Sequence, residues 1–295
     1  MKPPPFEYLA AQTVDEALQA IADDEDAKAL AGGQSLIPLL NFRLARPGLL
    51  VDLNDLGELA YVRREEGLLH IGAMTRHVGI ERSRLVAEHW PLLHQAILWV
   101  AHAQIRNRGT VGGSVAHADP AAELPVALTA LEARFRARSV RGERWIAAKD
   151  FFLNQLTSAL EPDELLVEIE VPTVDSGAGS AFVEFARRHG DYGLGGTAVQ
   201  LERDGDNTVT RAAIVLLGVA PVPVRATAAE EVLVGRRVDT AIAREVAAAA
   251  VADVRPTGDI HGSSEYRRAL TETLVRRAVL QANAHADTRT TGATA

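Results

Sequence analysis

The sequence predicts an α+β chain in two domains. Short apolar runs of strand length are interleaved with stretches whose apolar residues recur every three to four positions, and two hairpin signals stand at 61–71 and 133–146. A small, polar linker, Asp175-Ser176-Gly177-Ala178-Gly179-Ser180, divides the 295 residues, of which 47% are hydrophobic, enough for two real cores. The expected domains are 1–174, with parts 1–57 and 58–174, and 180–285. A disordered tail is expected at 286–295, where the residues are small and polar.

Thr13-Val14-Asp15-Glu16 reads as a capping box that opens a helix reaching Ala22. The apolar run 27–30 then feeds Ala31-Gly32-Gly33-Gln34-Ser35, followed by apolar residues at 36, 37, 39, 40 and 44. That order is strand, tight turn, helix, with Ser35 as the N-cap and Pro38 in the first turn, where a missing N–H costs nothing. Residues 49–53 form a buried strand, stopped by Asn54-Asp55. The first hairpin turns at Glu65-Glu66-Gly67. Thr75 caps a short helix through Ser83, and 91–103 is a longer one, its His94 and His102 read as packing or surface residues. After a second glycine stretch, 106–114, the pattern at 121–131 is helical. Residues 133–140 alternate strictly and return through Trp145-Ile146, and Asp150 caps a short helical piece at 151–156. Residues 165–171 are the clearest strand, ended by Pro172. Beyond the linker come strands at 181–188, 197–201 and 209–219, with the last two joined at Asp204-Gly205-Asp206-Asn207. Helices follow from Arg225, over 241–254 and from Ser264.

Two features carry chemistry. Glycines at 32 and 33 permit positive φ and close approach of a ligand, and free amides at a helix start seat a phosphate, although such a turn is commonly only a turn. The second pair, Gly112-Gly113, lies about eighty residues on, and the two turns can close on the two sides of one diphosphate. Neither shows G-x-G-x-x-G spacing and no G-x-x-x-x-G-K-[ST] occurs, which argues against Rossmann and P-loop sites. The net charge of -8 argues against a nucleic-acid surface. Arginines 134, 136, 138, 141 and 144 alternate with other residues as on the wet face of a strand, either solvated or facing a partner. Without cysteine there is no disulfide, thiolate cluster or cysteine nucleophile, and the nine histidines form no metal-ligand pattern. No run reaches about 18 apolar residues and Met1-Lys2-Pro3-Pro4-Pro5 lacks a signal-peptide core, so the expectation is a cytoplasmic chain without a membrane span.

The segments A-G-G-Q-S-L-I-P at 31–38 and T-V-G-G-S-V-A-H-A-D-P-A-A-E-L-P at 110–125 resemble the medium, FAD-binding subunit of molybdenum hydroxylases, of the carbon monoxide dehydrogenase type within the xanthine dehydrogenase family. The likeness continues through Leu160–Leu166, Arg187-Arg188-His189-Gly190-Asp191-Tyr192 and Glu265-Tyr266-Arg267-Arg268, nearly the whole chain in the family's order. It implies an FAD-binding fold of the para-cresol methylhydroxylase type, two α+β subdomains, followed by a C-terminal α/β domain with a small antiparallel sheet. It also implies noncovalent FAD held by Ala31, Gly32, Gly33, Gln34, Ser35 and Leu36, and by Thr110, Val111, Gly112, Gly113 and Ser114, through backbone amides. Asp119 and Glu123 would bond ribityl or ribose hydroxyls, with a helix-start acid as the plain alternative for Glu123. Leu166 would meet the isoalloxazine edge, and Tyr192 would cover a flavin face; the plain alternatives are strand core and an interdomain contact. The family often places a lysine near Val183 or Glu184, which is missing here, with Arg187 and Arg188 as the basic residues to hand. Gln34 stands where some relatives carry histidine, and one branch's cysteine-bearing insertion is absent.

By the same resemblance the chain is the electron-transfer flavoprotein of a heterotrimer that dimerises. A small subunit with iron–sulfur clusters and a large subunit with the molybdenum cofactor are the partners, and no catalytic acid, base or nucleophile is expected here. A stand-alone flavin reductase or oxidase of the same fold and a non-enzymatic flavin module are the alternatives. Interface material is expected on the arginine-rich strand and around Trp90 and Trp99.

Overall fold

The computed structural model of the chain describes residues 2–292, with side chains through 289. In chain order the strands and helices begin β1 (Glu7–Ala10), α1 (Val14–Asp23), β2 (Lys28–Leu30), α2 (Leu36–Asn41), β3 (Leu49–Asp52), β4 (Val62–Glu65) and β5 (Leu68–Gly72). Six helices follow, α3 (His77–Glu81), α4 (Arg84–His89), α5 (Pro91–Ile97), α6 (Ala103–Arg106), α7 (Val111–His117) and α8 (Glu123–Ala130). Then come β6 (Arg134–Ser139), β7 (Gly142–Ala147), α9 (Ala148–Phe151), β8 (Phe152–Asn154), β9 (Thr157–Ser158) and β10 (Leu165–Val171). The remainder is β11 (Gly179–Phe185), β12 (Gly195–Arg203), β13 (Val209–Leu217), β14 (Val224–Arg225), α10 (Thr227–Leu233), α11 (Thr240–Ala250) and α12 (Ser264–Gly292).

The chain folds into two compact units that divide it differently from the linker. One gathers residues up to 82 with 102–118 and 133–171; the other gathers 83–101 and 119–132 with the chain from 172 on. The apolar faces of α5 and α8 decide this, because both cover the sheet of the second unit.

In the first unit β1, β3 and β2 form a parallel sheet in that order. Thr13 caps α1 by accepting from the Glu16 amide at 3.1 Å, and Val14, Ala17, Leu18 and Ile21 lay the helix on a core with Val51, Leu53, Leu165 and Val167. An antiparallel sheet, ordered β4-β5-β10-β6-β7, supplies the rest. Its middle strand β10 is buried throughout, carboxylates included. Glu168 is matched by the Tyr61 hydroxyl at 2.6 Å and His70 Nδ1 at 2.9 Å, and Glu170 by Arg134. Each arginine of the β6–β7 region meets an acid in the fold: Arg134 Glu170, Arg136 Glu143, Arg138 Asp15, Arg141 Asp163 and Arg144 Glu164. That row is internally paired as well as half-wet.

In the second unit β11, β12, β13 and β14 form an antiparallel sheet in sequence order. Helices α10, α11 and α12 close one face over Val199, Ile214, Leu216, Val246, Val275 and Val279. Trp90 is not interface material: it is 1% exposed, and its indole N–H donates to the Pro172 carbonyl at 2.7 Å. Trp99 stacks on His189 with ring centroids 5.4 Å apart. The expected disordered tail is also corrected. Helix α12 runs to Gly292 because Ala282 and Ala286 are fully buried in the core, Asp287 pairs with Arg203 at 2.8 Å, and Arg289 donates to the Ser176 carbonyl. The last part of the expected tail, 293–295, lies outside the described residues. Among the described residues no helix is long and apolar enough to cross a membrane.

Candidate functional site

Strand β2 pairs in parallel with β3 and delivers the chain into the first glycine turn. Gly33 takes φ +72°, a conformation open to glycine. The backbone N–H groups of Gly32, Gly33, Gln34, Ser35 and Leu36 have no hydrogen-bond partner among the described residues. Five successive free amides around such a turn form a nest, a concavity of partial positive charge that attracts anions. The Gln34 side-chain amide donates to the Gly32 carbonyl at 2.9 Å and so closes the turn on itself. Ser35 does not cap α2: its backbone is already helical, at φ −102° and ψ −46°, and its hydroxyl makes no cap bond.

The second glycine stretch is not a turn but the helix α7. Thr110 caps it by accepting from the Gly113 amide at 3.1 Å. The amides of Val111 and Gly112 donate to the carbonyls of Thr75 and Ala73, both at 2.9 Å, and that of Ser114 donates to Thr110 at 3.0 Å. Unlike the first turn, this stretch has the four amides from Val111 to Ser114 satisfied inside the fold, and its glycines answer a packing demand. A Cβ on Gly112 would stand 2.5 Å from that of Ala73, and one on Gly32 would stand 2.5 Å from the Arg108 carbonyl oxygen and 2.7 Å from the Gly109 Cα. The two glycine segments therefore touch, but one offers donors and the other supports it. Replacing Thr110 by alanine is expected to cost about 1 kcal/mol, the usual value of a lost cap. A melting curve lowered by a few degrees with flavin content unchanged would bear that out; loss of flavin would show that Thr110 does more than cap.

Residues that the sequence reading did not single out brace the nest. Asn54 donates its side-chain amide to the Ala31 carbonyl at 3.0 Å and to Asp52, and Arg76 donates to Asn54 Oδ1 at 2.6 Å and to the Arg108 carbonyl. Desolvation and then the neighbouring Arg108 charge lower the pKa of Arg76. His77 is buried, and its Nε2–H donates to the Thr110 carbonyl at 2.9 Å. Its Nδ1 has no partner and faces Gly109, where a Cβ would come within 2.8 Å. Burial, and secondarily the charges of Arg106 and Arg76, push its pKa down to about 4, so the ring is neutral.

Of the other expected site residues, Leu166 lies in the first unit, buried on β10 beside a register shift between Leu166 and Glu168. Asp119, Glu123 and Tyr192 lie in the second. Asp119 Oδ1 accepts from the Ala121 amide at 2.9 Å, and Glu123 begins α8 with only 8% of its surface exposed. Desolvation and then the Asp119 charge raise the pKa of Glu123. Glu184 on β11 is raised further, by burial and then by Glu123. The Tyr192 phenol is raised by desolvation and by the Asp119 and Glu123 charges, although 68% of the residue surface is open. Among the described residues no group of three acids or histidines is placed to hold a metal.

A nest of five amides braced by the Arg76 guanidinium fits the diphosphate of a dinucleotide cofactor. Comparison with known proteins identifies an FAD-binding family. Residues 4–174 match the family of the FAD binding domain in molybdopterin dehydrogenase, and 180–282 match the CO dehydrogenase flavoprotein C-terminal domain. The chain is 45% identical to the 6-hydroxypseudooxynicotine dehydrogenase complex subunit alpha of Paenarthrobacter nicotinovorans and 39% identical to the caffeine dehydrogenase subunit beta of Pseudomonas sp. strain CBB1, covering 96% of each chain in both pairs. Its structure superposes on carbon monoxide dehydrogenase from Hydrogenophaga pseudoflava with TM-score 0.94 at 39% identity, over 97% of this chain and 99% of that one. The chain thus belongs to the molybdenum hydroxylase family, as an FAD-binding medium subunit of the carbon monoxide dehydrogenase type and so a subunit of an oxidoreductase.

Proposed function

We propose that this chain holds one FAD noncovalently and serves as the electron-transfer flavoprotein of its complex, between a small iron–sulfur subunit and an external acceptor, with a large molybdenum-cofactor subunit oxidising the substrate. The observation that carries the reading is the run of unpartnered amides from Gly32 to Leu36 beside Arg76 and Arg108. These amides would bind the diphosphate, and Ala31 to Ser35 would set its position. Thr110 to Ser114 would form the supporting floor, with the Ser114 hydroxyl free to join them. Asp119 and Glu123 would accept from ribityl or ribose hydroxyls, the Leu166 backbone would meet the isoalloxazine edge, and Tyr192 would lie on a ring face. FAD supplies a carrier that exchanges electrons with one-electron and two-electron partners alike. The residues do no acid–base chemistry on a substrate: they bind, orient and exclude water. Gln34 stands where some relatives carry histidine, and its carboxamide is not a nucleophile for a covalent flavin link.

The test is co-expression with the cognate small and large subunits. The substrate tried first is an N-heterocycle, the class that the name of the 45%-identical relative indicates. Substrate should bleach the flavin absorbance only in the complete assembly, and acid should release all of the yellow colour. A lone chain that reduces an acceptor with the same substrate at the rate of the assembly would overturn the subunit reading.

A further inference from the structure

The last backbone rung between β2 and β3 is the Leu53 amide donating to the Leu30 carbonyl at 3.0 Å. One residue on, a side chain makes the rung: Asn54 donates its amide to the Ala31 carbonyl, also at 3.0 Å. The two backbones are thereby free to part, and the chain enters the glycine turn with the Ala31 carbonyl already fixed. In a trans peptide the carbonyl and the following N–H point in opposite directions. Holding the Ala31 carbonyl on Asn54 therefore aims the Gly32 N–H away from Asn54. Gln34 does the same for the Gly33 N–H by donating to the Gly32 carbonyl at 2.9 Å.

The Asn54 carboxamide is itself keyed at both ends. Its Nδ2 also donates to Asp52 Oδ1, which takes the Asn54 backbone amide at 2.9 Å as well, while Asp52 Oδ2 accepts from the Tyr8 hydroxyl at 2.6 Å. Its Oδ1 accepts from Arg76 at 2.6 Å. Burial works to raise the Asp52 pKa, but the bonds from Tyr8 and Asn54 outweigh it and leave the carboxyl below its ordinary value. A carboxylate only accepts and a guanidinium only donates, so turning the amide over would break both contacts. Arg76 also donates to the Arg108 carbonyl, the atom that a Cβ on Gly32 would meet first. One network thus fixes the peptide that enters Gly32 and the backbone that Gly32 packs against.

We propose that Asn54 is a positioning residue for the bound diphosphate: oriented by Asp52 and Arg76, it turns the Ala31–Gly32 peptide so that the Gly32 N–H faces the anion. The inference rests on the assignment of the amide nest to the FAD diphosphate.

The test titrates the full-length, flavin-free chain with FAD and, separately, with inorganic pyrophosphate. Asn54→Leu keeps the size and removes the bonds. It should weaken both ligands by roughly ten- to a hundredfold, the scale of one misdirected hydrogen bond to a charged group. The control is Asp239→Ala, which removes the cap that accepts from the Ala241 and Ile242 amides, both at 2.8 Å, in the other unit. It should bind both ligands as wild type does. Phosphorus-31 resonances of bound FAD give a readout that lost stability alone does not move: Asn54→Leu should shift one of the two toward its free position, and Asp239→Ala neither. Should Asn54→Leu fail to fold, Asn54→Asp decides. Its new oxygen faces the Asp52 carboxylate and the Ala31 carbonyl until it takes a proton and becomes a donor. Arginine and tyrosine do not change charge between about pH 8 and pH 5.5, so its FAD affinity relative to wild type should recover at least about fivefold over that range. An affinity within about twofold of wild type in folded Asn54→Leu, or an Asn54→Asp profile parallel to wild type, overturns the role and leaves the flavin assignment standing. A wild-type chain that binds pyrophosphate but no FAD sinks the flavin assignment, and the pyrophosphate arm still decides the role of Asn54. Binding of neither ligand overturns both.

Discussion

Gly32→Ala is expected to strip the chain of FAD. A single methyl group at this position would sit 2.5 Å from the Arg108 carbonyl oxygen and 2.7 Å from the Gly109 Cα, both backbone atoms with no rotamer to escape into. The turn must withdraw from the α7 side, and withdrawal misplaces the five amides that make the nest. A diphosphate bound through several such amides at once loses more than one hydrogen bond. A drop of at least about 3 kcal/mol, more than a hundredfold in Kd, is the expected scale. The control is Gly57→Ala, where nothing lies within 4 Å of the new carbon. Flavin content after purification and calorimetric titration of the flavin-free protein measure the effect, and equal flavin occupancy in both variants would refute the nest. Gly33→Val should have the same outcome by a different route, since a branched side chain at φ +72° is strained before any contact is made. Gly113→Val is a poorer probe than the glycine pattern suggests. Its Cβ would lie 2.6 Å from Thr110 Oγ1, so it attacks the cap of α7 and through it the fold.

These differences show which parts of the site the sequence could disclose. The strand–turn–helix at 28–41, the hairpin turning at Glu66-Gly67 and the buried strand Leu165–Val171 are all written in local patterning and were legible for that reason. The order of donors in the site is not local. Val111-Gly112-Gly113-Ser114 is a poor helix former on propensity, yet it is helical because Thr110 caps it and because the Thr75 and Ala73 carbonyls, nearly forty residues earlier, take its first amides. Nothing near those glycines announces that partnership. The brace of Asn54, Arg76 and His77 was hidden in the same way, since each bonds a backbone atom distant in sequence. Asn54 in particular could pass for a simple strand terminator. Trp90 looked like surface because it stands between a polar segment and a proline, whereas its acceptor is the carbonyl of Pro172. The tail misled through composition: small and polar residues suit disorder, but alanines at 282 and 286 are the size that a helix needs to lie close against a sheet. Gly179, at the end of the apparent linker, makes room for the same helix.

Acid should destabilise the support of the nest through one histidine, and the effect can be isolated. His77 has its pKa pushed down to about 4 in the fold, against an ordinary value of 6.5 in the unfolded chain. The unfolded chain therefore binds the extra proton first as pH falls. Stability from this group is complete above pH 6.5, declines below it, and is fully lost once pH passes the folded value near 4. Over that window the loss approaches about 3 kcal/mol, since each tenfold rise in proton concentration between the two values removes about 1.4 kcal/mol. Glu123 and Glu184 act in the opposite sense. Their folded pKa values are raised, so they favour the fold at low pH and lose that contribution as pH rises. Two raised acids can outweigh one depressed histidine, so the wild-type profile alone between pH 5 and 7 does not reveal His77. The difference from His77→Gln does, because the acids contribute alike to both proteins and the glutamine amide can still donate to the Thr110 carbonyl. Urea unfolding at about pH 7 and pH 5 should show the variant gaining on wild type by about 2 kcal/mol toward acid. A difference that stays flat would mean that His77 titrates normally in the fold, and the dry, neutral anchor beneath Gly109 would have to be abandoned.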